Sequence, residues 1–137
     1  MAGTFALNIV SPEGHVLKEE AEFVVIPGGA GELGILPNHA PLIAGLKIGV
    51  MRYSKENNVH RLAVSGGFAE IADNAVTILA NTAELSEDID VERALAAKER
   101  AEQRLRDTSG DIDVARAELA LKRAIARLSA AEPQKYQ

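Results

Sequence analysis

The sequence predicts an N-terminal antiparallel β-sandwich, residues 1–84, followed by a C-terminal two-helix antiparallel hairpin, residues 85–137. Three observations carry this division. Residues 1–84 hold 5 basic and 9 acidic side chains, whereas the 53 residues from 85 onward hold 10 and 11. Ten of eleven glycines and four of five prolines lie in the first part, where they punctuate turns and would be costly inside helices. Branched residues in that part come in short runs between turn signals, while in the second part apolar residues recur at helical spacing.

Five strands are expected: Phe5–Val10, Glu22–Ile26, Gly49–Tyr53, His60–Val64 and Ala75–Ala80. The separators are Ser11–Gly14, Pro27–Gly29, Pro37–Asn38, Glu56–Asn58, Ser65–Gly67 and Asp73–Asn74, all with turn chemistry. Their close spacing leaves no room for crossover helices, so antiparallel pairing is expected throughout. The acidic stretch Glu87–Asp90 suits a helix N-cap and the positive end of a helix dipole, which starts a helix over about 91–106. Asp107–Gly110 supplies the break, and Asp111 or Asp113 caps a second helix ending before Pro133. Leu95, Ala101 and Leu105, with Val114, Leu121, Ile125 and Leu128, form a narrow apolar stripe. Alanines at the other small positions let the helices approach closely but bury little area, at ~2 kcal/mol per leucine-sized side chain. A detachable hairpin follows.

Length and composition exclude several functions. With 137 residues the chain is too short for a large barrel or a full dinucleotide-binding fold. The absence of cysteine removes disulfides, thiol catalysis and sulfur-ligated zinc, and His15, His39 and His60 have no metal-ligand spacing. A net charge of −5 with five aromatic residues is the wrong balance for a nucleic-acid surface. No window approaches eighteen apolar residues and the first 25 residues lack a leader pattern, so a cytosolic protein is expected. Residues 29–34, Gly-Ala-Gly-Glu-Leu-Gly, formally match a dinucleotide-binding glycine pattern. That role needs a helix to start there, but Pro37 and Pro41 follow, and a turn-rich loop joining strands is expected instead. His39 has no partner for nucleophilic catalysis and Ser65 lacks a nucleophile elbow, so no catalytic residue is assigned.

One regularity remains. Arg93, Arg100 and Arg104 are spaced i, i+7, i+11, and so are Arg116, Arg123 and Arg127. At 100° per residue each trio stays within about 40° of arc. These edges are either solvated faces with ordinary ion pairs, through Glu92 or Glu99, or anion-recognition surfaces.

The run Gly31-Glu-Leu-Gly-Ile-Leu-Pro-Asn-His-Ala-Pro-Leu42 resembles, almost letter for letter, the signature of the epsilon subunits of bacterial F-type ATP synthases. Val64–Ile71, Val76–Ala80 and Ala83–Glu84 are similar to that family's later strands, so the resemblance spans the chain. It implies a non-catalytic rotor subunit that couples proton flow to ATP synthesis and inhibits ATP hydrolysis through mobile helices. Its partners would be the gamma subunit, the c-subunit ring and the beta and alpha subunits. It would sit at the cytoplasmic face of the plasma membrane, touching the membrane only through the complex. Gly31 and Glu32 would meet the ring, and Arg116, Lys122, Arg123 and Arg127 the beta subunit.

Some thermophilic members of the family bind one ATP through Ile/Leu-Asp-x-x-Arg-Ala, and Ile89-Asp-Val-Glu-Arg-Ala94 matches that pattern. The resemblance then assigns Glu84, Ile89, Asp90, Arg93, Ala94, Arg100, Arg123 and Arg127 to ATP, a regulatory ligand bound with or without magnesium. The competing reading makes Asp90 a helix cap with Arg93 as its i+3 partner. The alternative function is a free-standing nucleotide-sensing module that never joins a rotor.

Overall fold

The computed structural model describes residues 3–107 and 110–136. Eight strands come first: β1 Phe5–Ser11, β2 Gly14–Ala21, β3 Phe23–Gly28, β4 Gly31–Ile35, β5 Leu42–Lys55, β6 Asn58–Ala72, β7 Ala75–Ala80 and β8 Ala83–Leu85. A 3₁₀ turn, Ser86–Asp88, leads to α1 Val91–Arg106 and α2 Val114–Ala131.

The strands run β2-β1-β7-β6-β5-β3-β4, with β8 also on β6. The sandwich arises because β5 and β6 are long enough to serve both layers. Gly67–Ala72 of β6 pairs with β7, whereas Leu62–Val64 pairs with β8. Between these stretches the strand turns a corner at Gly66 and Gly67, with φ of +74° and +115°. A Cβ on Gly67 would lie 2.0 Å from the Leu79 carbonyl oxygen, so no side chain fits there. Alternate residues of the strands fill the space between the layers: Phe5, Leu7 and Ile9 of β1, and Val76 and Ile78 of β7, are all buried. Val24, Ile26, Met51, Leu62 and Val64 close the core from the other strands.

Several strand expectations need correction. Ser65–Gly67 is a bend inside one continuous strand, because its positive-φ glycines redirect the chain without reversing it. Pairing is not antiparallel throughout: β1 and β7 run parallel. The parallel pair needs no crossover helix, since the intervening chain returns through the other strands of the sandwich. Residues 31–34 are not a loop but most of β4, which pairs with β3 through Gly28↔Gly31. β2, β4 and β8 have no counterpart among the expected strands.

The two helices follow the expected bounds, although Leu85, placed with the hairpin, belongs to β8 and pairs with Leu62. Asp90 caps α1 and Asp113 caps α2, each carboxylate accepting an N–H three residues on, from Arg93 and Arg116 at 3.1 Å. In the predicted break Gly110 has φ +93°, and Thr108 and Ser109 lie outside the described residues. The stripe is more alanine-rich than expected. Val114 and Ile125 are 53% and 39% exposed, while Ala94, Ala101, Ala117, Ala124, Ala126, Leu128 and Ala130 are buried. The hairpin seats through α2, where Ala126 and Ala130 bury with Ala63 of β6 and with Ile89, flanked by Ile48 and Val50 of β5.

Candidate functional site

The antiparallel hairpin sets the first turns of α1 beside the last turns of α2, and β8 runs into the same corner. The two arginine edges therefore converge at one end. There a cleft of about 320 Å³ is lined by Glu84, Asp90, Arg93, Ala94, Ala97, Arg100 and Arg127. Three guanidinium groups face two carboxylates. Arg127 Nε donates to Glu84 Oε1 at 3.1 Å, tying α2 to the sandwich. Asp90 Oδ1 is engaged with the Arg93 N–H, so the cap and the charged cleft use the same carboxylate rather than competing for it. Ala94 and Ala97 keep the cleft open between the arginines.

A second cleft, also about 300 Å³, adjoins the first and shares Glu84 and Arg127 with it. Arg123 lines it, with Glu13 from the β1–β2 turn and the hydroxyls of Ser65 and Thr82, which hydrogen-bond each other. Planar guanidinium groups fix phosphate or carboxylate oxygens two at a time, so this corner can hold a multiply charged anion.

The structure brings together six of the eight residues assigned to a nucleotide: Glu84, Asp90, Arg93, Ala94, Arg100 and Arg127. Arg123 lies next door. Ile89 is placed elsewhere, 8% exposed in the apolar seam beneath the hairpin, because the 3₁₀ turn directs it toward Ala63 and Ala126. Ala97 was missed, although its spacing to Arg93 and Arg100, i+4 and i−3, puts it on their helical face. Glu13, Ser65 and Thr82 gave no local signal, since only the tertiary fold brings them near Arg123.

Of the residues expected at a beta subunit, Arg116 and Lys122 are exposed and Arg123 is half-buried, while Arg127 holds Glu84. Arg104 and Arg116 lie toward the connection between the helices, away from the cleft. Gly31 and Glu32 are exposed on the edge strand β4, where Glu32 pairs with Arg52 at 2.9 Å and Gly31 has φ +131°. Asn74 fixes the adjoining segment: its side chain accepts the Asn38 N–H at 2.8 Å and donates to the Thr4 carbonyl at 2.9 Å. On the outer sheet face Phe68 and Leu79 are register partners, 62% and 53% exposed, beside Ile43 at 71%.

Residues 4–86 match the family model described as ATP synthase, Delta/Epsilon chain, beta-sandwich domain. Residues 87–132 match the corresponding long alpha-helix domain. The ATP synthase epsilon chain of Desulfitobacterium hafniense strain Y51 is 67% identical over 110 residues, 80% of this chain and 83% of that one. That of Desulforamulus reducens is 54% identical over 132 residues, 96% and 100% of the two chains. Among solved structures, a chain of the Euglena gracilis mitochondrial ATP synthase, from a complex of OSCP, F1 and c-ring, superposes with a TM-score of 0.80 at 25% identity. The match covers 96% of this chain and 82% of that one.

Proposed function

The chain belongs to the delta/epsilon family of ATP synthase subunits, and from that premise we propose that it is a rotor subunit whose hairpin is controlled by ATP. It is the epsilon subunit, a non-catalytic part of the complex. Its β-sandwich would dock on the gamma subunit and the c-ring, with the Ile43–Phe68–Leu79 face and the β4 edge offering the apolar and polar contact surfaces. This would place it at the cytoplasmic face of the plasma membrane, held there through its partners. The freed hairpin would carry Arg116, Lys122, Arg123 and Arg127 to the beta subunit and block hydrolysis.

The observation that supports ATP control is the composition of the cleft walls. Glu84 belongs to β8, Asp90 is the cap of α1, Arg93 and Arg100 lie in its first turn and beyond its middle, and Arg127 belongs to α2. A nucleotide in that cleft touches the sandwich and both helices at once, so it binds the docked hairpin and not the released one. Differential binding of this kind is what shifts a two-state equilibrium. The triphosphate would take the arginines, and Asp90 would orient the site through the cap.

Titration calorimetry of the isolated chain with ATP tests this. Saturable binding is expected, and Arg93→Ala or Asp90→Ala should weaken it at least tenfold, in line with the loss of a charge-assisted contact. Wild-type affinity in both variants would reject the site. Co-purification with gamma is expected as well; a chain that never associates with gamma would favour the free-standing sensor.

A further inference from the structure

A third cleft, of about 970 Å³, lies between α2 and β5 and adjoins the second, sharing Ser65, Thr82, Arg123 and Ala126 with it. This is at the upper end of the range for small-molecule sites, which is about 300–1,000 Å³. Its walls are apolar: Leu46, Ile48 and Val50 come from β5, and Leu119 and Ile125 from α2. Leu119 and Ile125 are 46% and 39% exposed and lie toward this cleft from α2. Lys47 and Lys122, both exposed, and the half-buried Arg123 line it as well, and none of the lining residues is acidic. Ser65, Asn81, Thr82 and Ser129 add neutral polar groups. The α2 wall, from Leu119 to Ser129, is about 15 Å long at 1.5 Å per residue.

We propose that this cleft binds a small, soluble amphiphilic carboxylate, with its apolar chain between β5 and α2 and its charge at Lys47 and Lys122. The charge complementarity is one-sided. An acidic head group at Lys47 and Lys122 meets no carboxylate among the lining residues, whereas Arg123 is shared with the adjoining cleft that holds Glu13 and Glu84 and the nucleotide cleft mixes both signs. The walls come from both halves of the molecule, so such a ligand is held only while the hairpin is docked. Occupancy therefore opposes release of the hairpin, whether or not ATP binds its own cleft.

The test is a titration of the full chain with decanoate below its critical micelle concentration, followed by backbone NMR, with decanol as the uncharged counterpart. Saturable shifts are expected at residues 46–50 and 119–129, with decanol binding at least tenfold more weakly. Lys47→Glu and Lys122→Glu, both at exposed positions, should each weaken decanoate binding at least fivefold, and Lys47→Arg should keep it. Spectra unchanged away from the cleft establish that these variants are folded. The proposal is overturned by equal binding of decanol and decanoate, by shifts centred on Ile43, Phe68 and Leu79, or by the absence of saturation. Full affinity in Lys47→Glu overturns it too, since the charge would then not sit at Lys47.

Discussion

Replacing Ala126 with aspartate is expected to release the hairpin while leaving the sandwich folded. The apolar seam that seats α2 is small: its buried members are Ala63, Ile89, Ala126 and Ala130. On the area scale three alanine methyls and one isoleucine amount to about 4 kcal/mol. A carboxylate at Ala126, 6% exposed and facing Ala63, is an uncompensated buried charge of the kind that costs about 3–5 kcal/mol. The equilibrium constant for docking should then fall about a hundredfold or more, since each 1.4 kcal/mol is tenfold. The ion pair across the same seam is a weaker tie. The Arg127 and Glu84 side chains are 36% and 39% exposed, and such pairs contribute about 0–1 kcal/mol, so Glu84→Gln should reduce docking fivefold at most. Native-state hydrogen exchange reads both variants. In Ala126→Asp the α2 amides should lose protection at least a hundredfold, because most of a helix's stability in a protein comes from the tertiary packing that undocking removes. The amides of Leu7, Ile9, Val76 and Ile78 should keep theirs. If α2 protection is unchanged, or if Glu84→Gln matches Ala126→Asp, the alanine seam does not hold the hairpin and the reasoning fails.

Gly67→Ala should destabilise the sandwich by at least ~3 kcal/mol, from a disallowed φ and a backbone clash together, whereas Gly45→Ala, with open space around its Cβ, should change stability by less than about 1 kcal/mol. Thermal unfolding separates the two, and similar midpoints would contradict the corner geometry. Stability should also decline at alkaline pH. The Lys55 ammonium is held above its ordinary pKa of 10.5 by its hydrogen bond to Glu19. The Tyr53 hydroxyl is raised above 10.0, chiefly by burial and then by Glu19. For the lysine, the unfolded chain deprotonates first, so its contribution is intact below about pH 10.5 and is lost as pH rises through the folded value. The tyrosine acts in the same direction, because the unfolded phenol ionises before the buried one. Denaturant midpoints measured from pH 9 to 12 should fall for the native chain and fall less for Tyr53→Phe with Lys55→Met; parallel curves would refute the linkage.

The legible parts of the fold were those set by local rules. Asp90 and Asp113 precede helical runs with a free side-chain oxygen, and both are caps. Asp73 and Asn74 adopt positive φ in the two-residue turn between β6 and β7, as their composition suggested. What sequence could not show was pairing. β2 carries Lys18, Glu19 and Glu20, and β4 carries two glycines, compositions that read as loop; both are edge strands, where charge and glycine are tolerated because one side has no neighbour. The Gly66–Gly67 corner looks like a reversal until Asn81 and Thr82 are seen bonding to its flanks. At the site, the arginine spacing marked the right edges of the helices. Which arginines meet depended on antiparallel packing, which retains Arg93, Arg100 and Arg127 and leaves Arg104 and Arg116 at the far end. Ile89 was legible as part of a motif but not as a seam residue, because its burial depends on Ala63, distant in the chain.

The unbroken run of β6 has a mechanical consequence. Ala63, which seats the hairpin, and Phe68, on the exposed outer face, are five residues apart on one strand, and β5 is laced to that strand on both sides of the corner. The two surfaces are thus opposite arms of a single stiff beam, bent once at a pair of glycines. Torque applied at the Phe68 arm reaches the Ala63 arm through backbone hydrogen bonds, without crossing a compliant side-chain interface. In the proposed rotor role, load taken at one end would be carried by the same strand that seats the hairpin at the other.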